Sequence, residues 1–154
     1  MRIGVVSDSH GFTGRLSTIL MVMEAEKKPL DALIHLGDGY YDLRDLQVDL
    51  PVYQAAGNCD PFCSDTLNIV NLSGARLVLT HGHYQHVKEG LDDLLALAIQ
   101  EKAQAALYGH THLQRMEWRN GILLLNPGAA MDGRFAILRI SRLGAVEAEL
   151  RSLY

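Results

Sequence analysis

Cysteine is scarce: Cys59 and Cys63 are the only two in 154 residues. The three residues between them fit neither a redox C-x-x-C nor a zinc-ribbon pair, so both are expected as reduced thiols. Positive charge is scarce as well. A formal net charge of −4 leaves no basic footprint, which argues against general nucleic-acid binding. No stretch nears the roughly 20 apolar residues that cross a bilayer. The apolar start, Met1 to Val6, is too short for a signal h-region before Asp8 and His10. A cytoplasmic protein without membrane attachment is the expectation. Repeats, linkers and low-complexity tracts are also lacking. With 48% hydrophobic and 21% charged residues, the chain reads as one domain over 1–154 with a core of its own.

What is present is a series of short apolar runs, each emptying into polar residues. Ile3 to Ser7 reads as a buried strand ending at Asp8, and Ala32 to Leu36 as a second, ending in Gly37-Asp38. Val52 to Ala56 ends in Gly57-Asn58-Cys59-Asp60. Leu67 to Leu72 and Arg76 to Thr80 flank a Ser73-Gly74 turn, and the second leads into His81-Gly82-His83. Ala105 to Tyr108 precedes Gly109-His110-Thr111-His112. Helical spacing predicts helices from Thr13 to about Lys27 and between Leu91 and Gln104. The remainder predicts strands at Met116–Arg119, Ile122–Leu125, Phe135–Ile140 and Val146–Leu150, with turns at Asn120-Gly121 and Leu143-Gly144. Early β-α alternation before a strand-rich second half implies an α/β fold of two packed sheets with helices outside.

In an α/β sheet such strand ends converge on one crevice. Two Asp, one Asn and four His gathered there make a poor core and a good divalent-metal site, because imidazole and carboxylate together suit Mn, Fe, Zn or Ni. Thiolates are missing from the group, which argues against structural zinc. If the segments Asp8-Ser9-His10 and His110-Thr111-His112 are extended, the two outer side chains of each share a side. Gly37, Gly57, Gly82 and Gly109 adjoin these residues where the backbone must turn or approach an ion closely.

Taken in order, D-x-H, G-D, G-N, a lone His after a strand and G-H-x-H resemble the calcineurin-like metallophosphoesterases over essentially the whole chain. Gly57-Asn58-Cys59-Asp60 and Asn126-Pro127-Gly128 resemble the small bacterial and archaeal phosphodiesterases in particular. The resemblance implies a four-layer α-β-β-α sandwich of two mixed sheets with a dinuclear site at the strand ends. It places Asp8, His10 and His112 on one ion, Asn58, His81 and His110 on the other, and Asp38 between both. The implied activity is hydrolysis of a small phosphodiester by a hydroxide bridging two divalent ions, Mn first among the candidates. Asn58 would also donate to a phosphoryl oxygen. Two departures stand out. Cys59 replaces the His of the more common G-N-H-E, and Ala129 replaces the Ser that usually follows N-P-G.

His35, inside an apolar run, reads as a core histidine and His86 as a surface one, while His83, two residues past a proposed ligand, is assigned to substrate. Cys59 is assigned to packing, Arg134 to solvent, and Tyr40 and Tyr41 equally to packing or to a substrate groove. Alternatives are a phosphomonoesterase or nucleotide phosphatase of the same superfamily, or a protein-binding scaffold that kept the fold and lost catalysis. A homo-oligomer is compatible with every feature of the sequence.

Overall fold

The computed structural model describes all 154 residues. Two five-stranded mixed sheets face one another. The first runs β10-β9-β1-β2-β3 and the second β4-β5-β6-β8-β7. In the first, β1 (Arg2–Val6), β2 (Ala32–His35) and β3 (Val52–Gln54) are parallel, and β9 (Arg134–Ile140) and β10 (Val146–Ser152) extend the sheet antiparallel. The second repeats the plan. β5 (Ala75–Thr80), β6 (Ala105–Leu107) and β8 (Ile122–Asn126) are parallel, and β4 (Leu67–Leu72) and β7 (Arg115–Arg119) run antiparallel at the edges. Each sheet thus aims the carboxyl ends of three parallel strands at the same end of the sandwich, the arrangement that builds ligand crevices.

Strand alternation sorts the apolar side chains into three clusters. Ile3, Val5, Ile34, Leu77, Leu79, Leu107, Leu123 and Leu125 fill the space between the sheets. Val6, Leu33 and Ile137 point outward against Leu16, Ile19, Leu20 and Met23 of α1 (Thr13–Glu24). Val78, Ala106 and Leu124 meet Leu91, Leu94 and Ala98 at α3 (Asp92–Gln100). The layers are therefore α-β-β-α. A side chain at Gly4 would collide with Met23 Sδ at 2.6 Å, so its absence lets α1 seat on β1.

Both long helices are shorter than periodicity predicts. α1 stops at Glu24, and the Arg2 guanidinium takes the carbonyls of Met23 (3.1 Å) in its last turn and Lys28 (2.8 Å) beyond it. α3 closes in a Schellman turn: Lys102 adopts φ 54°, its N–H bonds Ile99 O at 3.0 Å, and Ala103 N–H bonds Ala98 O at 2.9 Å. A four-residue helix, α2 (Asp42–Asp45), escapes periodicity altogether. Asn120 and Gly121, at φ 52° and 72°, make the left-handed pair of a tight β7–β8 hairpin. No helix is long and apolar enough to cross a membrane.

Candidate metal centre

The loops after β1, β2, β5 and β6 bring Asp8, His10, Asp38, His81, His110 and His112 together. Two triads have ligand atoms within 4.8 Å of one another: Asp8 with His10 and His112, and Asp38 with His81 and His110. Asp38 Oδ2 stands between them, 3.2 Å from His81 Nε2 and 3.7 Å from His10 Nε2. Asp8 Oδ1 lies 3.1 Å from His112 Nε2 and 3.8 Å from His81 Nε2. Asp8 and His81 are fully buried, whereas half-buried His10 and His112 open the group to solvent.

The ligand segments are not extended. Asp8, His10, Asp38, His110 and His112 have φ of 53°, 46°, 55°, 70° and 61°, so five of the eleven non-glycine residues with positive φ are here. Each such residue costs on the order of 1 kcal/mol or more, and such strain concentrates at functional sites. Backbone bonds between loops hold it in place: Asp8 N–H to Gly37 O and His10 N–H to Asp38 O, both 2.9 Å. The paired side chains converge through this left-handed backbone rather than through strand alternation.

Hydrogen bonding tests whether a cation fits. His81 Nδ1–H donates to Leu36 O at 2.7 Å, which leaves the Nε2 lone pair facing Asp38 and Asp8. Asp8 Oδ2 accepts from Ser7 Oγ (2.6 Å) and His110 N–H (3.1 Å), yet Oδ1 has no partner, nor does His81 Nε2. Buried acceptors that face each other without a donor need a positive charge between them, a proton or a metal ion. Burial alone would lower the His81 pKa, but Asp38 and Asp8 outweigh it and raise it. Burial would likewise raise Asp38, but His81 and the Cys59 N–H bond hold it well below the carboxylate range. The donor set, oxygen and imidazole nitrogen, suits a borderline divalent ion.

Three further groups brace these loops without joining the triads. The Asp60 carboxylate accepts four backbone N–H bonds, from Asp38 and Gly57 (both 2.7 Å), Gly39 (2.8 Å) and Tyr40 (3.0 Å). These bonds hold its pKa down against burial. Asp42 Oδ2 accepts from Ser9 Oγ (2.6 Å) and Gly11 N–H (2.9 Å). His35 completes that chain: Nδ1 accepts from Gly37 N–H at 3.1 Å, so Nε2–H donates to Ser9 Oγ at 2.8 Å. It is a satisfied core histidine, and burial lowers its pKa to about 4. Asn126 holds the β6 loop, Nδ2 reaching Gly109 O and Thr111 Oγ1 (both 3.0 Å) while Oδ1 accepts from Gly128 N–H at 2.9 Å. The approach is close at Gly37, where a Cβ would lie 2.6 Å from Gly57 N and 2.9 Å from His81 Nδ1.

The remaining sequence candidates fall at varied distances. Asn58 is exposed on the loop between Gly57 and Cys59, its amide 3.5 Å from Cys59 Sγ. His83 stands beside the group, ring centroids 5.5 Å from His81 and 6.1 Å from His110, with a buried, unpartnered Nδ1. His86 is exposed and pairs with Asp93. Tyr40 and Tyr41 stack edge to face on each other at 5.2 Å, and exposed Arg134 bonds Gln114 Oε1 at 3.2 Å. A cavity of about 570 Å³ between Met1, Lys28 and Ser141 lies at the amino end of β1, opposite these loops.

Buried carboxylates and imidazoles at the converging strand ends of an α-β-β-α sandwich define a candidate metal-binding α/β sandwich protein. Residues 1–143 match the calcineurin-like phosphoesterase superfamily domain, and the chain belongs to that family. It is 32% identical over 131 residues to the probable metallophosphoesterase YsnB of Bacillus subtilis, covering 84% of this chain and 75% of that protein. It is 24% identical over 176 residues to a phosphodiesterase of Methanocaldococcus jannaschii, covering 99% and 98%. Among solved structures, an archaeal phosphodiesterase superposes with TM-score 0.77 at 20% identity, covering 98% of this chain and all of that one (100%). Vps29 of Entamoeba histolytica superposes with TM-score 0.74 at 18% identity over 100% of both chains. These two show a shared fold. Family membership makes the chain a metal-dependent phosphoesterase.

Proposed function

We propose that this chain hydrolyses small phosphodiesters at a centre of two divalent ions. Asp8, His10 and His112 hold one ion, Asn58, His81 and His110 the other, and Asp38 is shared. The observation that carries this is the pair of orphaned buried acceptors, Asp8 Oδ1 and His81 Nε2, at the meeting point of both triads. Bound there, two such ions supply Lewis acidity and an activated hydroxide for in-line attack on phosphorus. The side chains do the rest. Asp38 offers Oδ2 to both triads because Oδ1 is tied to Cys59 N–H at 2.8 Å. His81 keeps its lone pair inward because Leu36 O holds its proton. Asn58 and His83, at the edge of the group, bind phosphoryl oxygens, the Asn58 amide as donor.

Manganese is the first ion to try, and Fe, Zn or Ni suit the same donors. A reducing cytoplasm, where free Cys59 and Cys63 persist as thiols, is the setting assumed. Every proposed ligand position holds a residue able to bind metal, which favours catalysis over a silent scaffold. The test is a metal-reconstituted panel of phosphomonoesters, cyclic nucleotides and linear diesters. Turnover of diesters above monoesters is expected. A preference for monoesters would move the assignment to a phosphatase, and no turnover at full metal loading would leave the scaffold.

A further inference from the structure

Cys59 departs from the resembled G-N-H-E pattern, and the structure gives it surroundings of its own. Its N–H donates to Asp38 Oδ1 at 2.8 Å, which fixes the residue against the shared carboxylate. Ligand atoms of Cys59, His10 and Asp38 lie within 4.8 Å of one another, a third triad on the exposed side of the centre. A metal–sulfur bond of about 2.3 Å and a metal–nitrogen bond of about 2.0 Å let two such atoms share an ion at up to about 4.3 Å. Rotating the exposed Cys59 side chain closes the remainder. Behind this triad, buried Asp8 Oδ1 lacks a partner and lies 3.7 Å from His10 Nε2. Any ion drawn to His10 therefore has a free carboxylate oxygen on one side and a thiol on the other.

We infer that Cys59 is a metal ligand for thiophilic divalent ions, adding sulfur to the ion held by Asp8, His10, His112 and Asp38. The assignment rests on the two-ion centre proposed above. Coordination replaces the S–H bond by an S–metal bond and releases the proton to solvent. A hard ion such as Mn²⁺ leaves sulfur uncoordinated, whereas Co²⁺, Zn²⁺ and Cd²⁺ accept it, so the identity of the ion decides whether this position is filled by the protein or left to substrate.

The test uses the full chain, stripped with a chelator and reloaded with Co²⁺, which develops a near-ultraviolet charge-transfer band when thiolate is bound. Wild type and Cys63→Ser are expected to show the band, and Cys59→Ser to bind the same number of Co²⁺ ions without it. Cd²⁺ affinity should fall on the order of 10-fold or more in Cys59→Ser while Mn²⁺ affinity holds. Two bound Co²⁺ without the band in wild type, or a band that survives Cys59→Ser, overturns the role of sulfur and leaves the two-ion centre standing. Failure to bind Co²⁺ at all overturns both.

Discussion

The two sheets contribute unlike halves of the centre. Loops of the first sheet carry the carboxylates, Asp8 and Asp38 at the centre and Asp60 bracing it, with His10 the one imidazole among the proposed ligands. Loops of the second carry imidazoles alone, His81, His110 and His112. The bracing differs as well. Charged Asp60 and Asp42 collect backbone and hydroxyl donors on the first side, and the neutral amide of Asn126 does so on the second. Negative charge that attracts ions and neutral nitrogen that shapes their coordination thus come from separate layers, and neither sheet holds a complete site. Substitutions on the first side should cost more than matching ones on the second.

Asp38→Ala should show the largest effect, a loss of about 10²-fold or more in ion affinity at both sites, because it removes the carboxylate proposed to be shared by the two ions. Metal analysis of the folded variant checks this, and two ions retained would refute the shared role. Asp60→Ala leaves four loop amides without their acceptor and should cost about 3 kcal/mol of stability and roughly 10- to 100-fold in ion affinity. Asp60→Glu, which keeps the charge, should recover part of the ion affinity.

Asn126→Ala, the counterpart on the second sheet, should cost about 1–2 kcal/mol and weaken ion binding less than Asp60→Ala, since one neutral side chain with three bonds is lost. Equal losses in the two variants would erase the contrast between the sheets. His35 gives a pH signature of its own. Its folded pKa of about 4 lies below the ordinary 6.5, so the unfolded chain binds the proton first as pH falls. The contribution is complete above pH 6.5 and lost as pH drops toward 4, about 3 kcal/mol over the window. Urea unfolding of wild type and His35→Gln across that range should show the steeper decline in wild type. His86→Ala, which breaks only an exposed pair with Asp93, should change stability by less than about 0.5 kcal/mol.

Much of the architecture was legible because apolar runs and their polar exits are local features. The runs ending at Asp8, Asp38, Asn58, His81 and His110 are strands whose loops converge on the triads, the Asn58 loop through Cys59. Three things were not legible. Helix ends meet long-range partners, as with Arg2 and the last turn of α1. The left-handed backbone of Asp8, His10, His110 and His112 depended on bonds between loops, so alternation gave the wrong geometry for residues that nevertheless meet. The braces were hidden because an acceptor for four amides looks in sequence like any acidic residue, and Asp60 and Asn126 stood in plain motifs without an assigned task.

The central claim is that phosphoester hydrolysis here depends on two ions held between the sheets. Its most direct test follows ion content and diester turnover together in one preparation, stripped with a strong chelator and titrated back with Mn²⁺. Turnover should vanish on stripping and return as occupancy approaches two ions per chain. Undiminished turnover in verified metal-free protein would contradict it.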